Sequence, residues 1–218
     1  MNGLLDTLPT LQRLALAYAP SGAREATLAL LALDARLADI VRSASEPMLA
    51  QIRLAWWRDM LARDCGERPD GEPLLQALIC WQGQESALIA LVDGWEHLVA
   101  DQQLGSEDML AFCQGRGSAF AGLAGLIDCH DAREVARKAA ESWTVADLAK
   151  RLQDQREKEA VKSLIGGQDW RRIALPRKLR PLAVLHGLAL RDLRKGIARQ
   201  ESGLSMLFVA MRIGLSGR

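Results

Sequence analysis

Two stretches of this 218-residue chain set a carboxylate and a guanidinium close together at helical spacing. The first is Ala38-Asp39-Ile40-Val41-Arg42, and the second runs from Ala146-Asp147 through Lys150-Arg151 to Asp154-Gln155. Carboxylates four residues apart share a helix face and can hold Mg²⁺, which in turn grips a diphosphate. Neither Asp39 nor Asp154 has an acidic residue four positions away. Asp34 and Asp39 are five apart, about 140° around a helix, so they diverge. Asp147 and Asp154 are seven apart and share a face, but two turns leave about 10 Å between their backbones. The residues therefore argue against a shared metal. Guanidinium offers a different chemistry, because it is always charged and makes bidentate contacts to phosphate oxygens.

Other chemistry finds less support. Cys65, Cys80, Cys113 and Cys129 contain no CxxC pair, and no His stands at zinc-finger spacing, so they read as reduced, packing cysteines. His97, His130 and His186 are scattered and receive no role. Trp56 and Trp57 are adjacent, so only one of them can face the core of a helix, and Arg53 is placed to lie over the Trp57 ring. Zinc, haem and nucleotide sites have no support in spacing.

These side chains must be carried by helices. Leu contributes 37 residues and Ala 33, while Val, Ile and Thr together supply only 21, a helix-former composition with little for a sheet. Apolar periodicity predicts a helix over Leu4–Leu16, a second from Ala23 to Ser43 and a third starting at Pro47. After a Pro- and Gly-broken linker from Cys65 to Glu72, helices are expected at about 73–81, 85–102, 106–127, 131–164 and 178–200, with an apolar piece at 204–215. The expected fold is all-α, a single-domain bundle of about seven to nine helices spanning residues 1–218. Gly115, Gly117, Gly122 and Gly125 interrupt an apolar helix, so something approaches that backbone closely: a neighbouring helix, or a long apolar ligand along a cavity wall.

No apolar run reaches the roughly 20 residues needed to cross a bilayer, and the N-terminus lacks the basic start of a secretory signal, so a cytoplasmic protein is expected. The net charge of +1 conceals an asymmetry. Residues 1–170 carry 17 basic and 25 acidic side chains, whereas 171–218 carry 11 basic and 2 acidic. The basic part 171–218 could meet an anionic membrane surface, making the protein peripheral on the inner membrane, or could pair with the acidic body. Nucleic acid is not expected as a partner, since only Trp170 and Phe208 accompany the basic part and no binding motif is present.

The runs from Ala29 through Asp34, Asp39 and Arg42, then Ile52 to Asp59, then Arg172-Ile-Ala-Leu-Pro176 and Pro181 to Leu185, resemble the squalene/phytoene synthases. The resemblance extends from about Tyr18 to Leu193 and implies an isoprenoid-synthase bundle around a central cavity, joining two prenyl diphosphates. It also implies two Asp-x-x-x-Asp motifs on facing helices. In this chain Ala38 and Arg42 take the first motif's acidic positions, and Arg151 and Gln155 take the second's. Metal ligands are thus expected to be absent, with Mg²⁺ required only if the chain is a prenyltransferase after all.

Arg42 and Arg151 would then face each other across the cavity, either holding a phosphate directly or pairing with Asp39, Asp147 or Asp154 to close a vestigial pocket. The segment Ala32 to Arg58, notably the Ser45-Glu46-Pro47 run leading into the Trp-rich helix, is similar to the divergent branch of the family that lacks the aspartate motifs, which includes a respiratory-complex assembly factor. That likeness implies a non-synthase that binds a prenyl diphosphate or prenyl lipid, or meets a protein partner during assembly of a membrane complex. The alternative is a prenyltransferase condensing prenyl diphosphates.

Overall fold

The computed structural model describes residues 2–99, 103–167 and 171–194. Among these residues there is no strand, and ten α-helices follow one another. They are α1 (Asn2–Asp6), α2 (Thr10–Ala17), α3 (Ser21–Ser43), α4 (Pro47–Ala62), α5 (Pro73–Ala77), α6 (Glu85–Glu96), α7 (Ser106–Leu126), α8 (Arg133–Arg151), α9 (Gln155–Gly167) and α10 (Arg180–Arg194). The expected apolar piece at 204–215, with Phe208, Trp170 and the rest of the basic part beyond Arg194, lies outside the described residues.

The all-α class is as expected, but the count exceeds nine because two expected helices are each broken in two. The first breaks at Pro9, which holds an extended ψ of 150° and has no N–H to give a helix. The second, expected as one helix over 131–164, breaks after Arg151, where Leu152 turns to ψ 136°. Asp154 then starts α9, its Oδ1 accepting from the backbone N–H of Arg156 at 2.9 Å and of Glu157 at 3.2 Å. An aspartate in that position is a helix start signal. The segment expected to be helical over 73–81 is α5 followed by a tight 3₁₀ turn at Leu78–Trp81, and α6 ends at Glu96 rather than near 102.

The core is built around α7, which packs between α6 and α8, while α10 lies against α8 and α2. The four glycines of α7 explain how these helices come so close. A Cβ on Gly115 would stand 2.4 Å from the Ala90 carbonyl oxygen and 3.0 Å from Gly94 Cα. Gly122 faces Ala87 in the same way, Gly117 lies beneath the Glu141 side chain, and Gly125 seats the Arg133 guanidinium. Helix crossing, not a ligand-lined wall, accounts for Gly115.

On α4, Trp57 is buried and Trp56 is 39% exposed, so the adjacent pair divides between core and surface as helix geometry requires. Among the described residues the cation–π contacts are those of Arg116, and Arg53 makes none with Trp57. The four cysteines are free thiols. Burial pushes Cys113 up to about 12 and Cys80 up to about 11, which keeps both protonated and inert. No helix among the described residues is long and apolar enough to cross a membrane.

His186 sits in α10 and is almost fully buried. Burial pushes its pKa below the ordinary 6.5; the Arg172 charge adds to the shift, and the backbone at Arg171 and Ala139 opposes it without reversing it. A base that protonates less readily when folded favours the unfolded chain as acid is added. Stability contributed by neutral His186 is therefore complete above pH 6.5 and declines as pH falls below that value toward the depressed folded pKa. In urea titrations at pH 7.5 and 5.5, His186→Leu is expected to lose less stability on acidification than the parent chain. An equal loss in both would contradict this assignment.

Candidate functional site

The site is organised by two charged residues that lie within mostly apolar helix sequence. Asp34 stands on α3 amid Leu30, Leu31, Leu33 and Leu37, and it is 3% exposed. Arg116 stands on α7 between Gly115 and Gly117, and it is 2% exposed. Burying either charge alone would cost several kcal/mol, so each requires a partner. Arg116 donates from Nε at 3.2 Å and from Nη2 at 3.1 Å to Asp34 Oδ1. Trp95 Nε1 of α6 donates to the same oxygen at 2.9 Å, and Gln12 Nε2 of α2 donates to Oδ2 at 3.4 Å.

The guanidinium also reaches across to α8. Its Nη1 lies 3.5 Å from Asp147 Oδ2, and the other oxygen of Asp147 forms an ion pair with Arg151, 3.1 Å from its Nε. Aromatic rings enclose the cation, with Cζ 4.5 Å from the Phe112 centroid, 4.6 Å from Trp143 and 5.5 Å from Trp95. A protein cation thus bridges a carboxylate of α3 to a carboxylate of α8. Low local dielectric strengthens these contacts and makes the set sensitive to loss of any member.

Above this bridge opens a cavity of about 340 Å³, to whose lining Gln12, Asp34, Asp39, Arg42, Arg116 and Arg151 contribute. That volume is near the lower end of the roughly 300–1,000 Å³ typical of small-molecule sites. Of the residues singled out from sequence, Asp39, Arg42 and Arg151 share this lining, so the two arginines do meet one cavity. Each is also paired locally: Arg42 Nη2 donates to Asp39 Oδ1 at 2.6 Å, and Arg151 pairs with Asp147.

Asp147 stands behind the wall as the shared partner of Arg116 and Arg151. Asp154 is elsewhere: it caps α9 and accepts from Gln103 Nε2 at 3.2 Å. The helix break after Arg151 also removes the shared face expected for Asp147 and Asp154. Asp34, set aside on sequence because it diverges from Asp39, is the buried anchor of the site, and Arg116, Trp95 and Gln12 were not anticipated. The available signals were Asp34 at the end of the uncharged run Thr27–Leu33, and Arg116 as the one charge in the stretch Met109–Leu126.

As arranged, the donors suit an anion better than a divalent cation. Asp34 is saturated by Arg116, Trp95 and Gln12, and Asp147 by two guanidinium groups. Among the described residues no three His, Cys, Asp or Glu side chains gather closely enough to hold a metal ion. Residues 13–199 match the family model for squalene/phytoene synthase, and the chain belongs to that family. Neither a curated protein nor a solved structure gives a significant match.

Proposed function

We propose that this squalene/phytoene-synthase family member is not a competent synthase and works by binding, either of a prenyl-type phosphate ligand or of a partner during assembly of a membrane complex. The observation that carries this reading is Arg116. The family resemblance implies carboxylates on two facing helices that gather Mg²⁺ around a diphosphate; here the carboxylates of α3 and α8 are bridged by a buried guanidinium. Diphosphate departure requires a cation that coordinates the leaving oxygens, and Arg116 is already committed to Asp34 and Asp147. Two further observations support the same reading. Arginine stands at positions 42 and 151, where the family's motifs place aspartate, and a 340 Å³ cavity is small for two prenyl chains side by side. The likeness of the segment Ala32 to Arg58 to the divergent branch favours an assembly or lipid-handling role, with the protein resting peripherally on the inner membrane.

The test is turnover. Incubated with farnesyl or geranylgeranyl diphosphate and Mg²⁺, the full chain is expected to release no diphosphate and form no condensed hydrocarbon. Its thermal midpoint is expected to be the same in EDTA as in Mg²⁺, with or without these diphosphates, since no magnesium site contributes to the folded state. Product formation dependent on Mg²⁺ would establish the prenyltransferase and end this reading.

A further inference from the structure

We infer that the apolar segment 204–215 packs on the outer face of α4 in the same chain, covering Met48, Ile52 and Trp56. The inference concerns a surface and is independent of whether the chain turns over a substrate.

The large apolar side chains left exposed are concentrated on one helix. Met48 is 65% exposed, Ile52 59%, Leu49 42% and Trp56 39%, and among the described residues only Ile79 and Leu110 are comparable elsewhere. Met48, Ile52 and Trp56 stand four residues apart, so they form one stripe along α4. Single exposed apolar residues are ordinary, whereas a contiguous patch marks a contact surface. Along its edge a groove of about 260 Å³ opens between α3 and α4, where Ile40, Trp56 and Trp57 stand among charged residues that include Asp39 and Arg53. The face is thus apolar at its centre with a charged margin.

The chain itself carries a segment that calls for such a face. Residues 204–215 lie outside the described residues and hold eight large apolar side chains among twelve, with Arg212 as their single charge. Leaving that much apolar surface in water is unfavourable. Charge fits as well. Glu46 and Asp59 are exposed at the two ends of the stripe, and neither forms an ion pair among the described residues. Arg53, likewise without an ion pair, stands on one flank and leaves both ends acidic. Residues 195–218 carry four basic side chains and one acidic.

Reach is set by where α10 finishes. Asp192, in its last turn, pairs with Lys150 near the end of α8. The next residue, Arg151, lines the 340 Å³ cavity together with Arg36, Asp39 and Arg42 of α3. Arg36 and Asp39 also line the groove that Trp56 borders. The last turn of α10 and the α4 stripe therefore lie at the same end of the bundle. The nine residues 195–203 span up to about 30 Å when extended, enough to cross a cavity of this size. A contact between two copies needs about 20–30 residues on each side, far more than this stripe offers, whereas a tethered segment gains from its high effective concentration.

Photo-cross-linking of the full chain carrying Ile52→p-benzoylphenylalanine tests the contact. Trypsin cuts after Arg199 and Arg212, and irradiation is expected to join peptide 200–212 to α4 within one monomer. Limited trypsin digestion of the folded protein gives a second readout. Ile52→Glu should speed cleavage after Arg212 about tenfold, because cleavage follows the population of the released segment. Ile79→Glu is the control and should leave the rate unchanged. Ile79 is also exposed, but its 3₁₀ turn lies by the first half of α3, where Trp81 donates to the Ala26 carbonyl.

Cross-links that appear only between two copies, or that reach nothing beyond Arg194, would overturn the inference, as would equal cleavage rates in Ile52→Glu and the parent chain. Cross-linking to phosphatidylglycerol vesicles in place of peptide 200–212 would overturn it too and make the stripe a membrane contact. Mg²⁺-dependent turnover would end the non-synthase reading and leave this contact untouched.

Discussion

Arg116→Leu is expected to unfold with about 3–5 kcal/mol less stability than the parent chain, the usual cost of leaving a buried charge without its partner. Leu suits the apolar walls that Phe112, Trp95 and Trp143 present, so the loss comes from Asp34 rather than from packing. That carboxylate would retain only Trp95 and Gln12 as donors, with no compensating charge. Asp147 is less affected, since Arg151 remains beside it. Adding Asp34→Asn to Arg116→Leu removes the orphaned charge while keeping an acceptor for Trp95, and most of the lost stability should return. Urea denaturation of the parent, both single variants and the double variant closes the cycle. A single-variant loss below about 1 kcal/mol, in the range of a surface pair, would show that Arg116 is not the keystone described above.

The second large effect concerns backbone contact rather than charge. By helix propensity alone, Gly115→Ala should stabilise α7 by about 1 kcal/mol. The crossing with α6 reverses the sign. A new Cβ would meet the Ala90 carbonyl oxygen at 2.4 Å and Gly94 Cα at 3.0 Å, and these are backbone atoms that cannot rotate aside. The helices must separate, loosening the Trp95 and Phe112 edge-to-face pair, whose centroids lie 4.6 Å apart across this crossing. A net loss of about 2 kcal/mol is expected, within the usual range for overpacking. Gly22→Ala on α3 provides the control, because nothing lies within 4 Å of its added Cβ. That variant should be neutral or more stable by about 0.5 kcal/mol. Thermal unfolding that placed both variants on the same side of the parent chain would refute the close-crossing account.

Both effects arise at residues whose sequence context was legible but whose consequence was not. The glycines of α7 announced a close approach, and the apolar periodicity around them placed α7 in the core. Which neighbour approaches depends on how α6 and α8 lie against α7, and that is a three-dimensional arrangement. Arg116 lies between two of those glycines, where its charge was as visible as they were. Its role depends on Asp34, 82 positions earlier, and no local spacing connects them.

Sequence reading erred where a short-range rule was applied across a break. Asp147 and Asp154 share a face only on a continuous helix. Leu152 leaves the helical conformation, and Asp154 satisfies the free N–H groups of the next helix instead. The same residue type therefore serves as a core partner at 147 and as a helix cap at 154.

From the chain alone came the all-α class, most helix positions, the family resemblance and the substitution of arginine at positions 42 and 151. These follow from composition, from 3.6-residue periodicity and from local order, all of which are one-dimensional properties. Only the tertiary structure decided that Arg42 and Arg151 share one cavity, that Arg116 bridges α3 to α8 and that Gln12 carries a buried, unpartnered oxygen. The physical reason is that a buried charge is tolerated only when its neighbours in space, which come from distant parts of the sequence, satisfy it.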